Sequence, residues 1–264
     1  MLKKDLIQCA ESFGAQCAFV TGDLKSGKFL KHKEDLVVPS ASLIKIPVML
    51  EIIRQIGESL LSPEKRMVIP EGEKVPYSVL EFLDPGNSYT LMDLLKLMTI
   101  YSDNTAANVL IDLAGMDKIN LCLDRLGLKK TILQRKMMDF HAREEGRENY
   151  TTAKEMADLM IRLYQEEIFD EKSSNLIIDI MKGQGDESMM RVDLPDDIPI
   201  ARKSGELENL NHETAIVYTE KGDYLYVFFV WDAPSNNAAR EVLQRTSKMV
   251  YDHFTLGTAA KADI

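Results

Sequence analysis

The sequence predicts an α/β protein of the α+β kind: an antiparallel sheet flanked by the N- and C-terminal helices, with an all-helical lobe inserted into the chain. Three observations lead there. Short strand-like runs cluster at both ends of the chain, helical periodicity fills the long middle, and tight turn-rich segments join the runs at each end. At 264 residues the chain fits one large unit or a domain carrying an insertion, and this texture favours the insertion.

Residues 2–13 read as a short amphipathic helix, with Leu2, Leu6, Ile7 and Phe13 as its apolar positions. Strand candidates follow at 18–20 and 28–30, separated by the turn-rich stretch 22–27, which is a hairpin signal. From Ser40 apolar residues recur three or four apart, predicting helices over 43–56, 91–100, 105–113, 116–126, 152–164 and 175–182. Pro47 removes a helical hydrogen bond and is expected to bend the helix behind Lys45. Strands return at 200–203, 214–218 and 224–231, with a turn at 220–223 between the last two. A helix over 237–254 closes the fold, and 257–264 read as a frayed tail. The expected division is a sheet domain from 1–39 and 198–264 and a helical domain from 40–197. A cleft between two such lobes suits a small-molecule ligand.

Composition narrows the function. Hydrophobic residues at 45% and charged residues at 28% exclude wholesale disorder. Lys+Arg 32 against Asp+Glu 42 leaves a net charge of -10, which repels phosphate backbones and anionic lipid and argues against nucleic acid as a partner. The longest apolar run, 224–231, is strand-sized and far short of the ~18 residues of a membrane span. Cys9, Cys17 and Cys122 show no metal-type spacing and are expected to be buried, reduced thiols. Asp5, Gln8 and Glu11 interrupt any apolar stretch after Lys3 and Lys4, so the chain as written is expected to be cytoplasmic, or exported if a signal has been removed.

Three short motifs carry chemistry. In Ser42-Leu43-Ile44-Lys45, helical spacing brings the lysine amine towards the serine hydroxyl, and burial or a neighbouring cation would lower the lysine pKa enough to make it a base. Taken alone, the same four residues read as a capping serine and a solvated lysine. Ser102-Asp103-Asn104 precedes a helical pattern and reads as an N-cap, while offering a hydroxyl for proton relay and an amide for a carbonyl. Lys203-Ser204-Gly205 ends a strand: a fixed charge, a hydroxyl for a carboxylate, and a glycine that admits close backbone approach.

In this order the motifs resemble those of the penicillin-recognising serine enzymes, and of class A β-lactamases most closely. The surroundings, Pro39 to Lys45, Tyr101 to Asn108 and the elements after Lys203, are similar as well. The resemblance implies an antiparallel sheet with an inserted helical lobe, no metal or organic cofactor, and a monomer acting on a β-lactam or peptide-like amide. It implies Ser42 as acylated nucleophile, Lys45 as its proton acceptor and Ser102 as proton relay. Asn104 would hold a substrate amide, Lys203, Ser204 and Gly205 would form the carboxylate-binding strand end, and the backbone N–H groups of Ser42 and Glu206 would form the oxyanion hole.

One stretch departs from the family. Class A enzymes activate the deacylating water with a glutamate in a pattern close to Arg-x-Glu-x-x-Leu-Asn. Here Arg135 matches, but the glutamate position is Met137 and the asparagine position His141. A thioether cannot take up a proton, so slow deacylation is expected. Asp139, Glu144, Glu145 and Glu148 are possible substitute bases, with Asp139 nearest in sequence. Asn149 stands where an acidic partner for Arg135 is expected. The alternatives are a D-Ala-D-Ala peptidase-like enzyme, a cytosolic hydrolase of small esters or amides, or a non-catalytic sensor that traps its ligand.

Overall fold

The computed structural model describes residues 1–256, so the tail expected at 257–264 lies outside the described residues. Helix α1 (Leu2–Ser12) leads into the hairpin of β1 (Gln16–Asp23) and β2 (Lys28–His32). The short β3 (Val38–Pro39) and a 3₁₀ turn (Ala41–Ile44) lead to α2 (Lys45–Gly57). A ribbon of β4 (Arg66–Val68) and β5 (Ser88–Thr90) precedes α3 (Leu91–Ile100), α4 (Asn104–Ala114) and α5 (Met116–Arg125). Next come α6 (Phe140–Glu144), β6 (Tyr150–Thr151), α7 (Ala153–Tyr164) and α8 (Glu171–Lys182). Strands β7 (Ile200–Leu207), β8 (Leu210–Val217) and β9 (Tyr224–Trp231) then lead to α9 (Asn236–Leu256).

The main sheet runs β2-β1-β9-β8-β7 with every neighbouring pair antiparallel. Strand β9 is central and buried on both faces. Tyr224, Tyr226, Phe228 and Val230 pack in one core with Leu6 and Ala10 of α1 and Val242, Leu243 and Val250 of α9. Leu225, Val227 and Phe229 point the other way, into the core shared with α2, α3, α4 and α7. That double burial explains why the run 224–231 is apolar throughout instead of alternating. Each such side chain taken from water contributes about 1.5–3 kcal/mol. Helix α2 is apolar on nearly every face because it lies in the middle of the helical lobe, where residues 45–53 are all buried.

Several expectations need correction. The segment 40–197 is not all-helical: it carries β4, β5 and β6, and β6 pairs with β3. Strands of two or three residues are too short to show a period. Strands β7 and β8 extend to Leu207 and back to Leu210, beyond the expected 200–203 and 214–218. Ser204, Asn211, His212 and Glu213 are polar but buried, with their backbones paired across the ladder. Pro47 is the third residue of α2, a first-turn position where proline's missing N–H is tolerated. Among the described residues no helix is long and apolar enough to cross a membrane, and Cys9, Cys17 and Cys122 are buried and unpaired.

Candidate active site

Ser42 lies in the 3₁₀ turn between β3 and α2, not on α2 itself. Ala41 before it has φ +47, a left-handed conformation rare for a residue with a side chain. Two contacts with the sheet hold this turn. The His212 Nε2 of β8 donates to the Pro39 carbonyl at 3.0 Å, and its ring stacks on Phe229 with centroids 4.4 Å apart. Burial pushes the His212 imidazole down to about 4, which keeps it neutral. Gly205 of β7 passes so close that a Cβ there would lie 3.0 Å from the Ala41 Cβ and 3.1 Å from the Ser42 backbone nitrogen. The absent side chain therefore brings the strand carrying Glu206 against the backbone of Ser42.

Lys45 opens α2 with its amine buried. The amine contacts the Ser102 carbonyl, the Ser102 Oγ at 3.2 Å and the Asn104 Oδ1 at 2.7 Å. Lys203, also buried, reaches the same hydroxyl from the sheet: its Nζ donates to Ser102 Oγ at 3.1 Å and to the Ser204 carbonyl at 2.8 Å. The Ser102 hydroxyl thus sits between two lysine amines. Among the described residues the half-buried Ser42 hydroxyl has no hydrogen-bond partner.

The turn at Ser102 is built by its neighbours. Ser102 has φ +55. Asp103 is the N-cap of α4, its Oδ1 accepting from Ala106 N–H at 2.8 Å and its Oδ2 from Leu80 N–H at 3.0 Å. Asn104 is the first residue of that helix, and its Nδ2 donates to the Pro76 carbonyl at 3.0 Å. The capping and functional readings of Ser-Asp-Asn therefore fall on different residues of one motif.

The two lysines are perturbed by different neighbours. Burial, with the positive charge of Lys203 beside it, holds Lys45 well below the ordinary lysine range, against a smaller opposing effect of Asp103. Burial also lowers Lys203, to about 8, but the carboxylates of Glu213 and Asp186 counter part of it. Burial and its charged neighbour thus favour the neutral amine at Lys45, while acidic neighbours favour the ammonium at Lys203.

The loop after α5 holds Met137 buried, with its peptide bonded to Asn108 of α4. The acidic partner of Arg135 is Glu148 and not position 149: Arg135 Nε and Nη2 donate to its two carboxylate oxygens at 2.9 and 3.0 Å. Asn149 serves the backbone instead, its Oδ1 accepting from Gln134 N–H at 2.8 Å and from Arg135 N–H at 3.1 Å. A guanidinium fork matches a carboxylate, which an amide cannot replace. Asp139 caps α6 through an Oδ1 that accepts from Ala142 N–H at 2.9 Å.

The structure therefore gathers Lys45, Ser102, Asn104, Lys203 and Ser204 into one hydrogen-bonded cluster, with Ser42, Gly205 and Glu206 beside it. It leaves Asp139 in the separate loop. Sequence reasoning missed Asn108, which helical spacing from Asn104 could have flagged, and Gln184, which bonds Ser204 from a loop with no periodicity.

The fold is similar to that of solved β-lactamases. A β-lactamase from Sphaerobacter thermophilus superposes with a TM-score of 0.89 at 24% identity, covering 97% of each chain. The solved structure of PBP-A gives 0.86 at 25% identity, covering 96% of this chain and 95% of its own. The chain belongs to the β-lactamase enzyme family, whose model matches residues 1–254. A β-lactamase of Rhodobacter capsulatus is 23% identical over 245 residues, 90% of this chain and 83% of that protein.

Proposed function

We propose that the protein is a serine hydrolase, acylated on Ser42 by β-lactams or related amides, that releases the acyl group slowly. One observation carries the reading: the Ser102 hydroxyl lies between two buried lysine amines, Lys45 Nζ at 3.2 Å and Lys203 Nζ at 3.1 Å. Burial and the Lys203 charge lower the Lys45 pKa, which favours Lys45 as the proton acceptor of the pair.

In the proposed mechanism Lys45 takes the Ser42 proton as the oxygen attacks the amide carbonyl. The oxyanion is held by the N–H groups of Ser42 and Glu206, and losing one such donor typically costs about 3 kcal/mol of barrier. The C–N bond breaks as Ser102 passes its proton to the leaving nitrogen and is reprotonated by Lys45. Asn104 has one Nδ2 N–H left for a substrate carbonyl, since its Oδ1 serves Lys45 and its other N–H serves Pro76. Lys203 and Ser204 receive a ligand carboxylate, a local positive pole in a protein of net charge -10.

Deacylation needs a base that Met137 cannot supply. Glu148 is engaged by Arg135 and Arg143, and Glu145 by Arg147; of the remaining Asp139 and Glu144, Glu144 is exposed and Asp139 is nearer Met137 in sequence, so we assign the task to Asp139. A second reading, a D-Ala-D-Ala peptidase-like enzyme, draws on the same Met137 and on the likeness to PBP-A. Incubation with a penicillin or a chromogenic cephalosporin, followed by intact mass and product release, separates the two. A transient adduct with turnover fits a β-lactamase, and a persistent one fits the peptidase. An adduct that survives Ser42→Ala would move the nucleophile elsewhere.

A further inference from the structure

The Ser204 hydroxyl already has a partner within the chain. Gln184 lies between α8 and β7 with its side chain buried. Its amide is satisfied when Nε2 faces the carbonyls of Thr99, at 3.0 Å, and Ile100. Its Oε1 then accepts from Ser204 N–H at 3.2 Å and from Ser204 O–H at 2.8 Å. The opposite orientation would set Oε1 against two carbonyl oxygens, which cannot donate. Gln184 thus spans the cleft, from the end of α3 just before Ser102 to the strand of Lys203.

The loop is pinned where it stands. Gly185 N–H donates to Ile100 O at 2.9 Å. The buried Arg202 donates to the carbonyls of Gln184, at 3.3 Å, and of Asp186, and is anchored in turn by Glu213 at 3.3 Å. A carboxylate also stands nearby. Burial would raise the Asp186 carboxyl, yet hydrogen bonds from Ser188 and the Arg202 charge hold it below its ordinary range.

We propose that Gln184 is a specificity-determining residue, which holds the Ser204 proton so that this end of the site discriminates weakly between a carboxylate and a neutral, donating group on the ligand. The proposal rests on the acylation of Ser42. A hydroxyl has one proton. A ligand carboxylate, which only accepts, gains that proton by displacing Gln184 Oε1 and must do so beside Asp186. A carboxamide N–H can instead donate to a Ser204 lone pair and leave Gln184 in place.

The test measures acylation rates, by intact mass, with benzylpenicillin and with its neutral carboxamide. In the wild type the acid should lead the amide by less than about tenfold, and Gln184→Met should raise that ratio by about tenfold or more, the scale of a hydrogen bond to a charged group. General damage to the fold would lower both rates and leave the ratio unmoved. Asp186→Asn, on a half-buried loop side chain, should shift the ratio the same way and serves if Gln184→Met does not fold. A wild type favouring the acid a hundredfold, or ratios unchanged in both variants, would overturn the role of Gln184 while leaving acylation standing. Failure of both probes to label the wild type would instead remove the acylation reading, and this proposal with it.

Discussion

The side chain of Asn108 holds the Met137 peptide at both ends, its Oδ1 accepting from Met137 N–H at 2.7 Å and its Nδ2 donating to Met137 O at 3.1 Å. The backbone at position 137 is therefore fixed, whatever side chain it carries. Met137→Glu should shorten the acyl-enzyme lifetime at least tenfold in a mass time course. An unchanged lifetime would mean that the loop does not aim position 137 at the acyl group.

The clamp also has a stability value. Asn108→Ala loses two buried hydrogen bonds, about 2 kcal/mol together, which for a chain of this size is roughly 4–8 °C in Tm. Thermal unfolding of the variant measures it, and a shift under a degree would show that the clamp contributes nothing.

Glu148→Ala strands the Arg135 guanidinium in a buried setting. Leaving one partner of such a pair uncompensated destabilises by about 3–5 kcal/mol. Denaturant unfolding should show a loss of that order, and a loss below 1 kcal/mol would mean that water or Glu144 replaces the partner.

Asp139→Asn keeps the cap on α6, because asparagine caps as well as aspartate. Stability should therefore hold while the acyl-enzyme lifetime lengthens. An unchanged lifetime reduces Asp139 to a cap.

The acylation rate should be bell-shaped in pH. Its acidic limb is the deprotonation of Lys45, and its basic limb, near pH 8, is the loss of the Lys203 charge. Lys203→Arg keeps a charge that does not titrate there, so the basic limb should disappear. Lys203→Met removes the repulsion on Lys45, so the acidic limb should move to higher pH even as the rate falls.

Glu213 makes a separate prediction about stability. Burial raises its carboxyl from 4.5 to about 7, against the opposing charge of Arg202. The folded state then binds the proton more tightly than the unfolded chain. That stabilisation is complete below the unfolded value and is lost as pH rises through about 7. Chemical unfolding at pH 5 and pH 8 should show the decline, and Glu213→Gln should flatten it.

The sequence was most legible where one physical pattern dominated. The bounds of 91–100 and 224–231 match α3 and β9, the first through helical periodicity and the second through an unbroken apolar run. The polar start of β8 was illegible because Asn211, His212 and Glu213 look solvent-facing until their partners from other elements are known. The same holds for the site. Ser42, Lys45, Ser102 and Lys203 sit in short motifs that can be read in line. Gln184 and Glu148 act through contacts that loops create, and a loop has no period from which to count.

The placement of β9 has a consequence for how the molecule comes into being. It is the last strand made, yet it lies between β1 and β8. A chain emerging from the ribosome has its first hairpin long before the strand that joins it to β8 and β7. Until 224–231 are available, the partner edge of β1 stays open, and such long-range pairing is slow to form and exposed to misassociation. Lys203 therefore reaches Ser102 only in the completed chain. A nascent or C-terminally truncated protein would carry Ser42 and Lys45 without the sheet that brings Lys203 to Ser102.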